Sequence, residues 1–250
     1  MRRVAALCLW LATLLPAAAE DLVVLMSTQD VAITSTYSGA RVAVFGMIER
    51  DASTLSRGGK YDVVITVAGP SASQVLRAKE RTGPLWINNT VRRYPDVPGY
   101  YALLSTGPVP AIANDPARER QKMGLAFYLA PSAAPSDAIE ATDAALFRLR
   151  KKAGLLVEDP RAVQMHRPNL FSSAVTLPAS APTGRYLVGV TVLASGVPLK
   201  TVNTSFVVRK IGFEAYVAAH ARDNGLLYGL FAVLCALVIG VLGNLMFRRD

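Results

Sequence analysis

Histidine is the side chain best placed to move protons near neutral pH, and this sequence has two, His166 and His220, far apart in the chain. No H-E-x-x-H, G-x-S-x-G or G-x-x-x-x-G-K-[ST] pattern occurs. Gly58-Gly59-Lys60 runs into Tyr61 and reads as a turn. A nucleophile–base pair needs a base, and only His166 is both central and plausible. Asp62, Glu80, Asp96, His166 and Arg167 would suggest an enzyme if the fold gathered several of them in one deep pocket. Met165-His166 offers a thioether and an imidazole, a pair that suits copper; a core methionine beside a surface histidine is the other reading. No catalytic, metal or cofactor constellation assembles, so the expectation is a chain that is not an enzyme and takes no cofactor or small-molecule substrate.

Residues 77–89 offer contacts rather than chemistry. Arg77, Lys79, Arg81, Trp86 and Asn88 place an indole among basic and amide side chains, which is a candidate partner surface. Trp86 has a second reading, as buried core. The only cysteines are Cys8 and Cys235, both in apolar runs near the chain ends, so the segment between those runs has no disulfide or thiolate site. Residues 20–247 hold 23 Lys/Arg against 17 Asp/Glu, the totals of 27 and 18 less Arg2, Arg3, Arg248, Arg249 and Asp250, for a net of +6. No nucleic-acid motif accompanies that charge, so anionic lipid is the expected counterpart and nucleic acid is not.

The elements that must position these residues are dominated by residues 226–247, an apolar run without an ionisable acid or base. As a helix it reaches roughly 33 Å, enough for a hydrocarbon core of about 30 Å. At the other end, Met1-Arg2-Arg3, an apolar run over 4–15 and Ala17-Ala18-Ala19 before Glu20 have the order of a secretory signal peptide. Basic residues flank the C-terminal run on both sides, so orientation rests on the signal. Residues 20–224 are expected outside, and Arg248-Arg249-Asp250 inside. The expected protein is a single-pass type I protein of the bacterial inner membrane with a periplasmic N-terminal domain. Phe213, Tyr216, Val217 and His220 fall at helical spacing in a juxtamembrane segment, 211–224, that would lie at the interface. Phe213, Tyr216, Tyr228, Arg248 and Arg249 are the expected membrane anchors.

Between these ends the chain reads as mainly β. Apolar runs begin at Leu22, Val31, Arg41 and Tyr61. An edge strand covers 73–81, and two short strands cover 85–88 and 90–94. Pro98-Gly99-Tyr100-Tyr101 resembles the tyrosine corner of Ig-like sandwiches, or is a plain turn with two core tyrosines. Asp115-Pro116 opens a short helix, and 131–135 is a linker. Ser136 caps a second helix with Ile139, Thr142, Leu146 and Leu149 on its apolar face, Arg148, Arg150, Lys151 and Lys152 solvated in its last turns, and Gly154 at its end. Strands return from Leu170, with a Ser195-Gly196 hairpin. The reading is an Ig-like β-sandwich with a helical insertion and one C-terminal transmembrane helix. Its parts are a signal (1–19), N-terminal strands (20–113), the insertion (114–160), completing strands (161–210), the juxtamembrane segment (211–224), the span (225–247) and the tail (248–250). One composite sandwich is preferred to two small ones, because the later strands are too few to close a core alone.

Several stretches carry a resemblance: Phe45-Gly46, Asp62-Val63-Val64-Ile65-Thr66-Val67-Ala68-Gly69-Pro70, Arg77-Ala78-Lys79-Glu80-Arg81, Trp86-Ile87-Asn88 and Val97-Pro98-Gly99-Tyr100-Tyr101-Ala102. Glu158-Asp159-Pro160, Leu170-Phe171, Gly212-Phe213-Glu214 and Leu227-Tyr228-Gly229-Leu230 continue it. On these the chain resembles the putative transmembrane protein family of alphaproteobacteria, over its whole mature length. Gly225 departs from the pattern, where Pro is expected. The resemblance implies an inner-membrane protein with a periplasmic domain and brings no established catalytic residues. It also implies a transport partner, since family members stand near sulfite exporter-type permeases.

Overall fold

The structure is a computed structural model that describes residues 21–33, 39–49, 60–129, 137–211, 217 and 221–247. The signal peptide, the loop before Lys60, the 131–135 linker, the Ser136 cap, most of the juxtamembrane segment and the tail lie outside the described residues.

The first sheet has the order β1 (Asp21–Met26), β3 (Gly39–Glu49), β10 (Leu170–Pro178), β9 (Gln164–Arg167). Along β3, Val42, Val44, Gly46 and Ile48 are buried, and the residues between them are not. Phe171 lies opposite Gly46, and a Cβ on that glycine would fall 2.1 Å from the phenyl Cζ, so the missing side chain is the seat of the ring.

The second sheet runs β2 (Asp30–Ile33), β12 (Val197–Lys210), β11 (Gly184–Ala194), β4 (Asp62–Ala68), β7 (Tyr101–Ser105), β8 (Leu156–Asp159). Its pairs are antiparallel except at its two rims, where β2 runs parallel to β12 and β8 parallel to β7. Both sheets draw strands from before and after the helical stretch. β8 belongs to this sheet, although the sequence reading counted 156–159 with the insertion.

Two cores result. Inward-facing residues of both sheets, among them Val42, Phe171, Val63, Ile65, Tyr186, Val190 and Phe206, form the sandwich core. Val64, Tyr101, Leu103 and Leu193 face the other way and pack beneath a helical layer with Val109, Met123, Leu125 and Leu146. This explains the continuous apolar run of β4, which is covered on both faces. The layer comprises α1 (Val109–Ile112), α2 (Asp115–Arg120), a 3-10 turn (Leu125–Tyr128) and α3 (Asp137–Lys152). Asn114 rather than Asp115 is the N-cap of α2, its side chain accepting from the Ala117 N–H at 3.0 Å.

Three expectations change here. The Tyr100 and Tyr101 hydroxyls do not tie back upstream: Tyr100 donates to the Thr176 carbonyl at 3.0 Å and Tyr101 to the Lys122 carbonyl at 2.8 Å. The tie to upstream backbone is made by Tyr186, to the Pro182 carbonyl at 2.6 Å. The two short strands at 85–88 and 90–94 are one strand, β6 (Leu85–Pro98), paired with β5 (Ser71–Thr82). Finally, α3 is turned so that Leu149 is 52% exposed while Arg150 is 6% exposed. The Arg150 stem packs inward and its Nη2 donates to the Pro98 carbonyl, a use of a long cation that hydrophobic spacing cannot see.

Candidate interaction site

β5 and β6 pair with each other and form their own two-stranded sheet. Their turn is Gly83-Pro84, with Gly83 at φ 63, the sign a two-residue hairpin turn of the II′ kind needs at its first central position. Pro95 and Pro98 fit inside β6 because one edge of that strand carries no partner strand among the described residues.

The register decides which side chains meet. Arg77 stands opposite Thr90, Lys79 opposite Asn88 and Arg81 opposite Trp86. Residues opposite one another share a face, as do residues two apart along a strand. Arg77, Lys79, Arg81, Trp86 and Asn88 therefore occupy a single face of the hairpin. Trp86 is not core: it is 68% exposed. Every residue from 81 to 88 is exposed, so the distal half of the hairpin is an arm in solvent.

The base of the arm is fixed. Tyr94 and Val97 are buried in the helical-side core. The Tyr94 hydroxyl donates to Asp143 Oδ1 at 2.5 Å, and the Arg92 guanidinium reaches the same oxygen at 3.2 Å. Arg92 also lies over the Tyr94 ring, 5.0 Å from its centroid. Burial first, and then the hydrogen bond and charge of Asp143, push the Tyr94 hydroxyl up to about 12. Burial alone lowers the pKa of Arg150, whose Nε has no hydrogen-bond partner among the described residues. Asp143, Leu146 and Arg150 thus form the face of α3 that grips the arm. Sequence reading missed Asp143 and Tyr94. The spacing of 143, 146 and 150 was the available signal, concealed by two of the three being charged.

The residues that would have made an enzyme remain scattered. Asp62 Oδ1 accepts from the Thr106 hydroxyl at 2.9 Å at the start of β4, Glu80 and Asp96 are on the hairpin, and His166 and Arg167 are on β9. Met165 packs toward the sandwich core, whereas His166 is exposed with Nε2 2.6 Å from the Ser172 hydroxyl. As strand neighbours the two point to opposite faces and do not form a chelating pair. A cleft of about 590 Å³ opens beside the part of β10 that β9 leaves uncovered, lined by Arg41, Phe45, Arg161, Gln164, Ser172 and Thr176 among others. Another, of about 290 Å³, lies under α1 and α2 with Leu103, Arg118, Met123 and Glu158 in its walls. Asp62, Asp96, His166 and Arg167 line neither cleft.

The last described element, α4 (Gly225–Phe247), has 23 residues and a length of about 35 Å. Its apolar window, Gly225–Asn244, is buried nowhere against the other described residues. Tyr228 is 44% exposed in its first turns, and Phe213, Tyr216, Arg248 and Arg249 lie outside the described residues. Residues 21–249 match the family described as "Putative transmembrane protein (Alph_Pro_TM)". The chain belongs to that family. Its membership and the uncovered apolar helix together fit a single-pass membrane protein. No curated protein sequence matches the chain.

Proposed function

We propose that this family member is a type I protein of the bacterial inner membrane. Its β domain stands in the periplasm and binds a membrane-protein partner as the accessory subunit of a transporter. Residues 1–19 act as the export signal, α4 as the tether, and 248–250 remain in the cytoplasm. The partner is a multi-span permease, for which the sulfite exporter type is the first candidate. The domain does no catalysis in this reading, because its scattered carboxylates and single central histidine give a reaction no site.

The observation that supports this most is the convergence of Arg77, Lys79, Arg81, Trp86 and Asn88 on one exposed face of an arm whose base is fixed. A photo-crosslinking residue at Asn88 of the full chain, irradiated in native membranes, is expected to capture a multi-span neighbour. The same residue at Lys200, on β12, is expected to capture none. No protein adduct from Asn88, or equal capture from both positions, overturns the assignment. A reporter fused after Asp250 tests the topology, and activity outside the inner membrane would reverse it.

A further inference from the structure

Trp86 is flanked by Leu85 and Ile87, which are 66% and 40% exposed. By alternation the indole faces one side of the hairpin and its two neighbours the other. Apolar side chains therefore project from both faces of the tip, with Arg81 opposite Trp86, Thr82 opposite Leu85 and Glu80 opposite Ile87. A bilayer can receive both faces of such a tip at once.

Charge points the same way. From 77 to 93 the sequence holds five basic residues (Arg77, Lys79, Arg81, Arg92, Arg93) and one acid, Glu80. The Lys79–Asn88 and Arg77–Thr90 pairs lie about 7 and 13 Å behind Trp86, at about 3.3 Å per residue. With the indole at the headgroup boundary, where tryptophan concentrates, that distance leaves these cations level with the phosphates and just above them. Arg81, directly opposite Trp86, donates from Nε to the Gly83 carbonyl at 3.1 Å, and on leaving that bond its stem is long enough to snorkel back to the same level. The turn is closed by the Thr82–Leu85 pair, so few unpaired backbone groups would enter the interface.

We infer that the tip of the β5–β6 arm, Leu85-Trp86-Ile87, docks into the headgroup boundary of an anionic bilayer, with Arg77, Lys79 and Arg81 meeting lipid phosphates. The inference rests on the reading that α4 holds the domain at a membrane. It narrows the protein-contact reading of the shared face to Asn88, where the crosslinker is placed, and assigns Trp86, Arg77, Lys79 and Arg81 to lipid.

Trp10 and Trp86 are the only tryptophans in the sequence, so a Trp10→Phe chain reports Trp86 alone. Full-length protein is reconstituted in vesicles of phosphatidylethanolamine and phosphatidylglycerol whose acyl chains are brominated near the carbonyl end. Fluorescence is expected to be quenched strongly by the bromolipid and weakly by aqueous acrylamide. Bromolipid quenching is expected to fall several-fold in the Arg77→Glu, Lys79→Glu, Arg81→Glu variant. Quenching by acrylamide and not by bromolipid overturns the inference by placing the tip in water. Shielding from both overturns it too, by placing a protein over the tip, and an unchanged signal in the charge variant removes the basic stripe from the contact. Retention in alkaline carbonate reads α4 separately, so a failed tether and a failed tip give different results.

Discussion

At the scale of single residues, Tyr94 ties the arm to the domain. Its ring is buried, and its hydroxyl spends its proton on Asp143. Removing the hydroxyl leaves Asp143 with Arg92 and without its neutral donor, so Tyr94→Phe is expected to cost about 1–3 kcal/mol at neutral pH. The pH dependence has a definite sign. The folded-state value of about 12 lies above the ordinary 10.0, so this contribution is complete below pH 10 and is lost as pH rises toward 12. Thermal midpoints of the two full-length chains, followed by circular dichroism in detergent, are expected to converge over that window. A Tyr94→Phe chain whose alkaline decline is as steep as the parent's would refute the assignment.

At the scale of elements, the arm and α3 show why part of this molecule is legible in its sequence and part is not. β10 could be read from its alternation, β3 from its β-forming residues and β4 from its run of β-branched residues. Each burial pattern there depends on local order alone. β6 could not be read as one strand, because Pro95, Pro98 and the adjacent Asn88-Asn89 are ordinary strand breakers, and only an edge without a partner strand tolerates the prolines. The five contact residues were identifiable by type, but their common face depends on the two-residue Gly83-Pro84 turn, which sets one unbroken register from Thr82–Leu85 back to Arg77–Thr90. The inward turn of Arg150 was illegible for another reason: its partner, the Pro98 carbonyl, is 52 residues away. Hydrogen exchange tests the resulting division of the arm. Distal amides of β5 and β6 are expected to exchange by local opening, well before those of β11, and Arg150→Ala is expected to spread that fast exchange toward Tyr94. Equal protection along the whole hairpin would contradict it.

At the scale of the whole molecule, the described chain is a layered β domain followed by a helix that no other described residue buries. A cation at the middle of that helix has no protein surface to hide against. Leu237→Arg is expected to cost roughly 2.5–3.5 kcal/mol of insertion free energy and to release much of the chain into the supernatant of an alkaline carbonate wash. Undiminished retention would show that something else holds the protein to the membrane. The path by which the domain reaches its tether has a mechanical meaning. β12 lies between β11 and β2, and its last residues are paired by β2 over Val207–Lys210 and by Arg209 with Asp30 at 2.9 Å. A tug from the tether runs along this strand, so the bonds on both its flanks share the load in shear instead of tearing one after another. A domain loaded this way can be dragged along without unravelling from the end at which it is pulled.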